Sequence, residues 1–527
     1  MRSFILLLAF FNISQIKAQV CFASSVIPFS PGYEPNSVVV ADFTGDGKTD
    51  LAVAIGHYYG NFNNRIAMLY GNGSGGFSTP NYITVVNQPL CMIGKDFNQD
   101  GKMDLAMIST NNAISVMLGL GTGSFSAATN FSITSVPFSL ISDDFNGDGI
   151  WDLATANNAS NTISVLQGIG NGNFGPAVNM PGAIHQVKII SSDFNNDSKI
   201  DLATADVNPN SVSVYLGSGT GNFGSAITYS LSTVPSSYPT SLSTSDFDSD
   251  GDIDIAVTIY DAGVSMLTGN GTGNFTAGGN YLANVIPKVI INDDFNNDGK
   301  TDLAVGNSST DDISILTGYG NGTFNAPVNK LVGDEPLALA SSDFNNDGKM
   351  DIVCANSFNY NLSIWLNSAL PIVTVTSGID TLCEGDFVQL NAVGASTYTW
   401  STSQNGNTIL ITPSVTTTYT IIGTDVNACI DTTHYTQIVT DCSVGVHENE
   451  IVKLMIYPNP SAGIFMIETF SPNKQLVKIV DTRGKVVYRK DIRDSEHLDV
   501  SSLSDGIYYL TINTDKSILN KKIIIIK

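Results

Sequence analysis

What most constrains this chain is a nine-residue acidic string that it repeats seven times. Copies begin at Asp42, Asp96, Asp144, Asp193, Asp246, Asp294 and Asp343, at intervals of 54, 48, 49, 53, 48 and 49 residues. Each is followed by an apolar run such as "DLAVA" or "DLATA", then by a second such as "ISVML" at Ile114. A Gly-rich turn such as "GNGSGGF" or "GLGTGSF" closes each of the first six units and leads toward the next acidic string. A unit therefore holds four short strands, with the acidic string after the first and the Gly-rich turn after the third. No stretch shows sustained helical periodicity. Four-stranded units recurring every ~40–50 residues predict a β-propeller, because so small a unit must cover its apolar faces with neighbours. Seven copies predict seven blades.

The seventh unit has no Gly-rich turn after "LSIWLN", so its fourth strand is missing. The segment "CFASSVIPF" before the first acidic string has the character of that strand, with Phe22 standing where the turn phenylalanine would be. Residues near 21–28 are expected to complete the seventh sheet and close the ring, which removes the edges an open array would expose.

Within each acidic string the spacing is that of acids and amides at positions 1, 3, 5 and 9, with Thr44 the one neutral hydroxyl at position 3 and a glycine at 6 in all copies but one. A tight winding brings those side chains and the carbonyl of position 7 to one point. These are hard oxygen donors, the set that holds Ca2+. The expected ligands are Asp42, Thr44, Asp46, Lys48 and Asp50 in loop 1, and Asp96, Asn98, Asp100, Lys102 and Asp104 in loop 2. Loop 3 offers Asp144, Asn146, Asp148, Ile150 and Asp152, and loop 4 Asp193, Asn195, Asp197, Lys199 and Asp201. Loop 5 offers Asp246, Asp248, Asp250, Asp252 and Asp254, and loop 6 Asp294, Asn296, Asp298, Lys300 and Asp302. Loop 7 closes the set with Asp343, Asn345, Asp347, Lys349 and Asp351. Position 7 enters through its main-chain oxygen, so its lysines are expected to point outward. Up to seven structural Ca2+ follow. Loop 4, with Ser198 in place of the turn glycine, is expected to be the weakest site, and loop 5, with the extra charge of Asp248, the tightest.

The net charge of −24, with 48 acids against 24 Lys and Arg, excludes nucleic-acid binding, which needs clustered cations. "MRSFILLLAFFNISQIKA" reads as a secretory signal peptide over residues 1–18, and no segment is long enough for a transmembrane span. Of six cysteines, Cys91 and Cys354 sit in apolar runs and are expected to be buried thiols. Cys383, Cys429 and Cys442 crowd one stretch of an exported chain, and Cys383–Cys429 is the expected disulfide, although spacing alone leaves the pairing open.

The acidic loop with its "DLA", the "ISV" run and the "GxGxF" turn resemble FG-GAP/VCBS repeats, the module of integrin α-subunit propellers and of many bacterial surface proteins. The resemblance covers about residues 21–368. It implies a seven-bladed propeller with Ca2+ in loops on one face and ligand binding commonly on the other. "IYPNPSAGIFMIE", "VKIVDTRGKVVYRKDI", "LDVSSLSDGIYYLTI" and "KKIIIIK" resemble the C-terminal sorting domains (type A) of type IX secretion. That resemblance implies recognition by the type IX secretion machinery, passage through the outer membrane, and a place on the cell surface or outside it. Between them, alternating Thr, Val and Tyr with Trp400 looks like a small Ig-like sandwich. The expected domains are 19–368, 369–443 and 444–527.

Symmetry breaking points to the ligand face. An insertion around "GHYYGNFNNR" and another around "STVPSSYPT" both fall on connections opposite the acidic loops. Tyr58, Tyr59, Phe62, Arg65 and Tyr238 are the first candidates, with Tyr260, Phe358, Tyr360, Asn157 and Asn161 nearby on that face. Five scattered histidines, no HExxH and no nucleophile elbow leave catalysis without a motif. The expected function is non-enzymatic adhesion to a glycan or protein ligand. The alternative is a secreted polysaccharide lyase or hydrolase that uses the propeller as a platform, since a propeller can bring distant carboxylates together.

Overall fold

The computed structural model describes residues 20–527 apart from 57–63, 110–111, 134, 136, 232–236, 428, 441, 443–453, 469–473, 494 and 514–517. The expected signal peptide lies outside the described residues. The chain divides into two compact units, Met1–Val439 and Thr440–Lys527.

In the first unit, seven four-stranded antiparallel sheets follow the seven acidic strings. Sheet 1 is typical, with strands Glu34–Ala41, Asp50–Gly56, Arg65–Leu69 and Asn81–Thr84 in spatial order. The second and third strands are buried almost throughout, which is why "DLAVAIG" and "RIAML" read as continuous apolar runs. The fourth is half exposed. First strands of consecutive sheets lie side by side, and that of sheet 7, Pro336–Ser342, lies beside that of sheet 1, so the series closes on itself.

Closure is made by the chain's own beginning. Phe22–Pro28 pairs antiparallel with Asn361–Asn367 as the fourth strand of sheet 7, with Phe22 opposite Asn367. In the six other units the turn glycine pairs with the turn phenylalanine in the same way, as in Gly119 with Phe125. Phe22 thus takes the phenylalanine's place, and Asn367 takes the glycine's.

Two further sheets complete this unit. Thr374–Ser377, Val388–Val393 and Thr408–Ile411 form one, and Thr381–Cys383, Ile430–Thr440, Thr417–Thr424 and Thr397–Trp400 the other. Their core is Leu390, Trp400 and Ile421 with their neighbours. Here the expected disulfide is corrected. Cys429 is bonded to Cys21, 408 residues away, with Cα atoms 5.5 Å apart, and Cys383 is disulfide-bonded elsewhere. Spacing favoured a local pair, whereas ring closure delivers Cys21 to this place. Cys91 and Cys354 are free thiols, the first half-buried and the second buried.

The second unit packs a sheet of Met455–Tyr457, Ile464–Glu468 and Glu496–Asp499 with one of Val486–Ile492, Gln475–Val480, Gly506–Asn513 and Ile518–Ile525. Phe465, Ile479, Leu510, Ile523 and Ile525 fill its core. The terminal isoleucine run is therefore a strand, with Ile523 and Ile525 facing inward.

Candidate metal loops and the opposite face

Each acidic string forms the connection between the first two strands of its sheet, and all seven wind alike. The carboxylate of position 1 is the hub. Its Oδ2 accepts the amide of position 6 at 2.7–2.9 Å. Its Oδ1 accepts the amide of position 5 at 3.1–3.2 Å. The position-5 carboxylate accepts the amide of position 7 at 2.8–3.0 Å. Two residues per loop are left-handed. Position 6 has φ of 63–94° and position 4 has φ of 57–75°. The spacing pointed to a glycine only at position 6. Position 4 passes unnoticed in the sequence because Asn, Gln and Ser serve there as well as Gly, and asparagine tolerates this conformation best among them. Ser198 adopts φ 63°, so its loop keeps the common path at the expense of backbone strain.

Position 9 begins the second strand and is almost fully buried in every loop. Its Oδ1 accepts a backbone amide across the sheet at 2.7–2.8 Å, from a turn glycine in six loops and from Asn367 in loop 7. Its Oδ2 accepts the amide of position 2 at 2.8–3.1 Å in six loops. Loop 6 departs from this. Asp302 Oδ2 is buried without a hydrogen-bond partner, and Phe295 N approaches it too weakly to count as one. Burial pushes Asp104, Asp152, Asp201, Asp254 and Asp351 up to about 6, against the opposing pull of their backbone donors. Burial pushes Asp302 up to about 7, and it raises Asp50 as well.

These loops fit a hard cation. Oxygen is the only donor type at positions 1, 3, 5, 7 and 9, the acids repel one another, and a buried carboxylate oxygen at loop 6 has no protein donor. In loop 5, oxygens of Asp246, Asp248 and Asp254 lie within 4.8 Å of one another. The expectation for the position-7 lysines needs correcting. Lys48, Lys102 and Lys199 fold back, with Nζ 2.9, 3.2 and 3.1 Å from the position-5 Oδ2 of their own loops. Each acid is the nearest opposite charge within reach, and the pairs are exposed and weak.

The loops also interlock around the ring. An amide of each Gly-rich turn donates to the carbonyl of the position-2 phenylalanine in the preceding loop, as in Gly123 to Phe43, at 2.9–3.1 Å over six junctions. The two phenylalanines of each such junction meet edge to face at 5.4–5.8 Å. The seventh junction has no turn, and there Asn367 Nδ2 donates to Phe295 O at 2.6 Å.

On the opposite face, Tyr58, Tyr59 and Phe62 lie outside the described residues. Arg65 is turned onto its neighbours, 5.2 Å from the Tyr33 ring and 5.6 Å from that of Tyr82. Tyr238 and Tyr260 stack on each other at 4.8 Å and 14°. Tyr360 is half-buried and its carbonyl accepts Phe29 N at 2.7 Å. Asn161 Oδ1 accepts the amide of His185 at 2.9 Å. Asn157 is fully buried and donates to Thr162 and Ser164, so it is a structural residue rather than a surface one. Phe358 is 50% exposed. Sequence reading missed Val86, Phe138, Ile184, Leu282 and Leu331, which are exposed at the ends of that face's connections. The signal was present as apolar residues within or at the ends of the segments that join fourth strands to the next first strands, where polar turn residues are usual.

Family models place these features. FG-GAP-like repeats match residues 96–142, 193–257 and 294–354, and the FG-GAP repeat matches 35–75. The secretion system C-terminal sorting domain matches residues 455–526. The chain carries FG-GAP repeats and a secretion sorting domain. With that domain it is exported by type IX secretion to the cell surface or the extracellular space. No helix among the described residues is long and apolar enough to cross a membrane.

Among solved structures, this FG-GAP chain is similar to the N-terminal part of BBS1 in a complex with ARL6, at 12% identity and TM-score 0.49 over 67% of this chain and 97% of that one. It is also similar to a periplasmic gluconolactonase of Pseudomonas aeruginosa, at 12% identity and TM-score 0.47 over 60% and 97%. Likenesses this weak carry no argument about ligand or activity. No curated protein matches.

Proposed function

We propose that this protein is a calcium-stabilised binding protein of the cell exterior, non-enzymatic, which takes a glycan or a protein on the face opposite its acidic loops. The observation that carries the reading is the asymmetry between the faces. One carries seven acidic loops whose polar atoms are turned inward on each other, and its Gly-rich turns expose only the smaller set of Leu120, Ile169 and Tyr319, at 53, 58 and 44%. The other presents large apolar side chains from successive connections, with Val86 88%, Leu282 77% and Leu331 76% exposed. A run of such exposed groups on one face marks an interaction surface. The loops would hold Ca2+ through positions 1, 3, 5, 7 and 9, and the ions would serve as fixed charges that relieve acid repulsion and stabilise the scaffold.

One observation favours the enzymatic alternative, a polysaccharide-degrading enzyme. Glu335 lies on the same face within electrostatic reach of Asp334, Glu34 and Asp311, and burial raises its pKa, with Lys288 opposing. Paired carboxylates with unequal affinities for protons are what glycoside cleavage requires. A glycan array with the purified protein, with and without chelator, separates the readings. Saturable binding without chain cleavage supports the binding protein, and cleaved product overturns it in favour of the enzyme.

A further inference from the structure

We propose that a cation held by loop 6 governs whether the ring stays closed, acting through Asp302, Phe295 and Asn367. The inference rests on the calcium reading and assigns one loop a role the other six lack.

Three observations converge on this junction. First, Asp302 is the position-9 aspartate whose Oδ2 has no donor, although the residue is fully buried. Its six counterparts satisfy that oxygen with the position-2 amide. A cation at loop 6 therefore supplies that oxygen with a partner stronger than the weak approach of the Phe295 amide, and its loss leaves the buried carboxyl poorly satisfied. Second, the carbonyl of Phe295, the position-2 residue of this loop, is held by a side chain where the others are held by turn backbone. Asn367 Nδ2 donates to it at 2.6 Å, while Asn367 N donates to Asp351 Oδ1 of loop 7 at 2.7 Å. One residue thus clamps loops 6 and 7. Third, Phe295 is fully buried in a cluster with Val20, Phe22 and Trp365, and Phe22 is paired with Asn367 itself. The closing strand therefore shares one core cluster with loop 6.

The other junctions run through continuous chain, since each fourth strand follows its own third strand after a short turn. The closing strand comes from the far end of the sequence and is retained by pairing, by packing and by the Cys21–Cys429 bond. Distortion at loop 6 acts on the strand that has the least local chain to restore it.

Hydrogen exchange over residues 22–28 tests this, with calcium and with chelator, on the full chain. In the parent protein chelation is expected to speed exchange of 22–28 more than that of Val178–Pro181, the fourth strand of sheet 3. Asp302→Asn is expected to give about tenfold faster exchange of 22–28 in the presence of calcium, while Asp152→Asn in loop 3 leaves 22–28 unchanged. Should Asp302→Asn fail to fold, the exposed pair Asp298→Asn and Asp148→Asn gives the same contrast without a buried change. Equal effects of the loop 6 and loop 3 variants on 22–28, or none from either, overturn the inference while leaving calcium binding intact. Absence of any heat of calcium binding to the parent protein overturns the calcium reading itself.

Discussion

Replacing Asn367 by leucine isolates the bond that stands in for the missing seventh turn. Asn367 is 4% exposed, and its Nδ2 donates to Phe295 O at 2.6 Å and to Met350 O at 3.3 Å. Leucine is close to asparagine in shape, so the change removes the donors without opening a cavity, and the amide bond from Asn367 N to Asp351 is backbone and survives. Phe295 is fully buried, so its carbonyl then faces no donor. An unsatisfied buried carbonyl costs about 1–3 kcal/mol, and the longer Met350 contact adds little. The expected result is a loss of about 1–3 kcal/mol in urea unfolding, seen as a lower midpoint with the slope unchanged. Asn367→Gly serves as the companion variant. It recreates the residue type used at the other junctions but not their turn, so it is expected to lose at least as much. A midpoint for Asn367→Leu within about 0.3 kcal/mol of the parent refutes the reasoning, because the surrogate bond then contributes nothing.

Two further outcomes follow from the loops. In chelator, the position-9 aspartates are raised to about 6, and Asp302 to about 7, so the folded state binds protons more tightly than the unfolded chain. Stability of the metal-free protein is therefore full below about pH 4 and declines as pH rises through about 6 to 7, and saturating calcium is expected to remove that decline in thermal melts. Ser198→Gly relieves a left-handed serine at φ 63°, worth roughly 1–2 kcal/mol, against about 0.5–1 kcal/mol of added chain entropy. A small rise in melting temperature is expected, and a fall indicates that the serine hydroxyl has a role of its own.

The sequence by itself determined the repeat, the four-strand unit and the closing strand, because those depend on local patterns. The acidic string, the apolar runs and the turn recur at fixed spacing, and a fourth strand absent after "LSIWLN" has a counterpart before Asp42. It also determined which side of each sheet carries the loops, since strand alternation leaves no choice. Tertiary structure alone decided how the junctions are held. Nothing local reveals that Asn367 replaces a turn, that Asp302 lacks the donor its counterparts have, or that Cys21 meets Cys429. Each depends on residues brought together by closure of the ring, across separations at which spacing in the chain says nothing about distance in space. The same holds for the opposite face. Side chains that read as candidates in the sequence, Arg65, Tyr238 and Tyr260 among them, are occupied with one another or their neighbours, while plain aliphatic residues such as Leu282 and Leu331 stand exposed. Residue type sets what a side chain can contact, and packing decides which contacts remain free for another molecule.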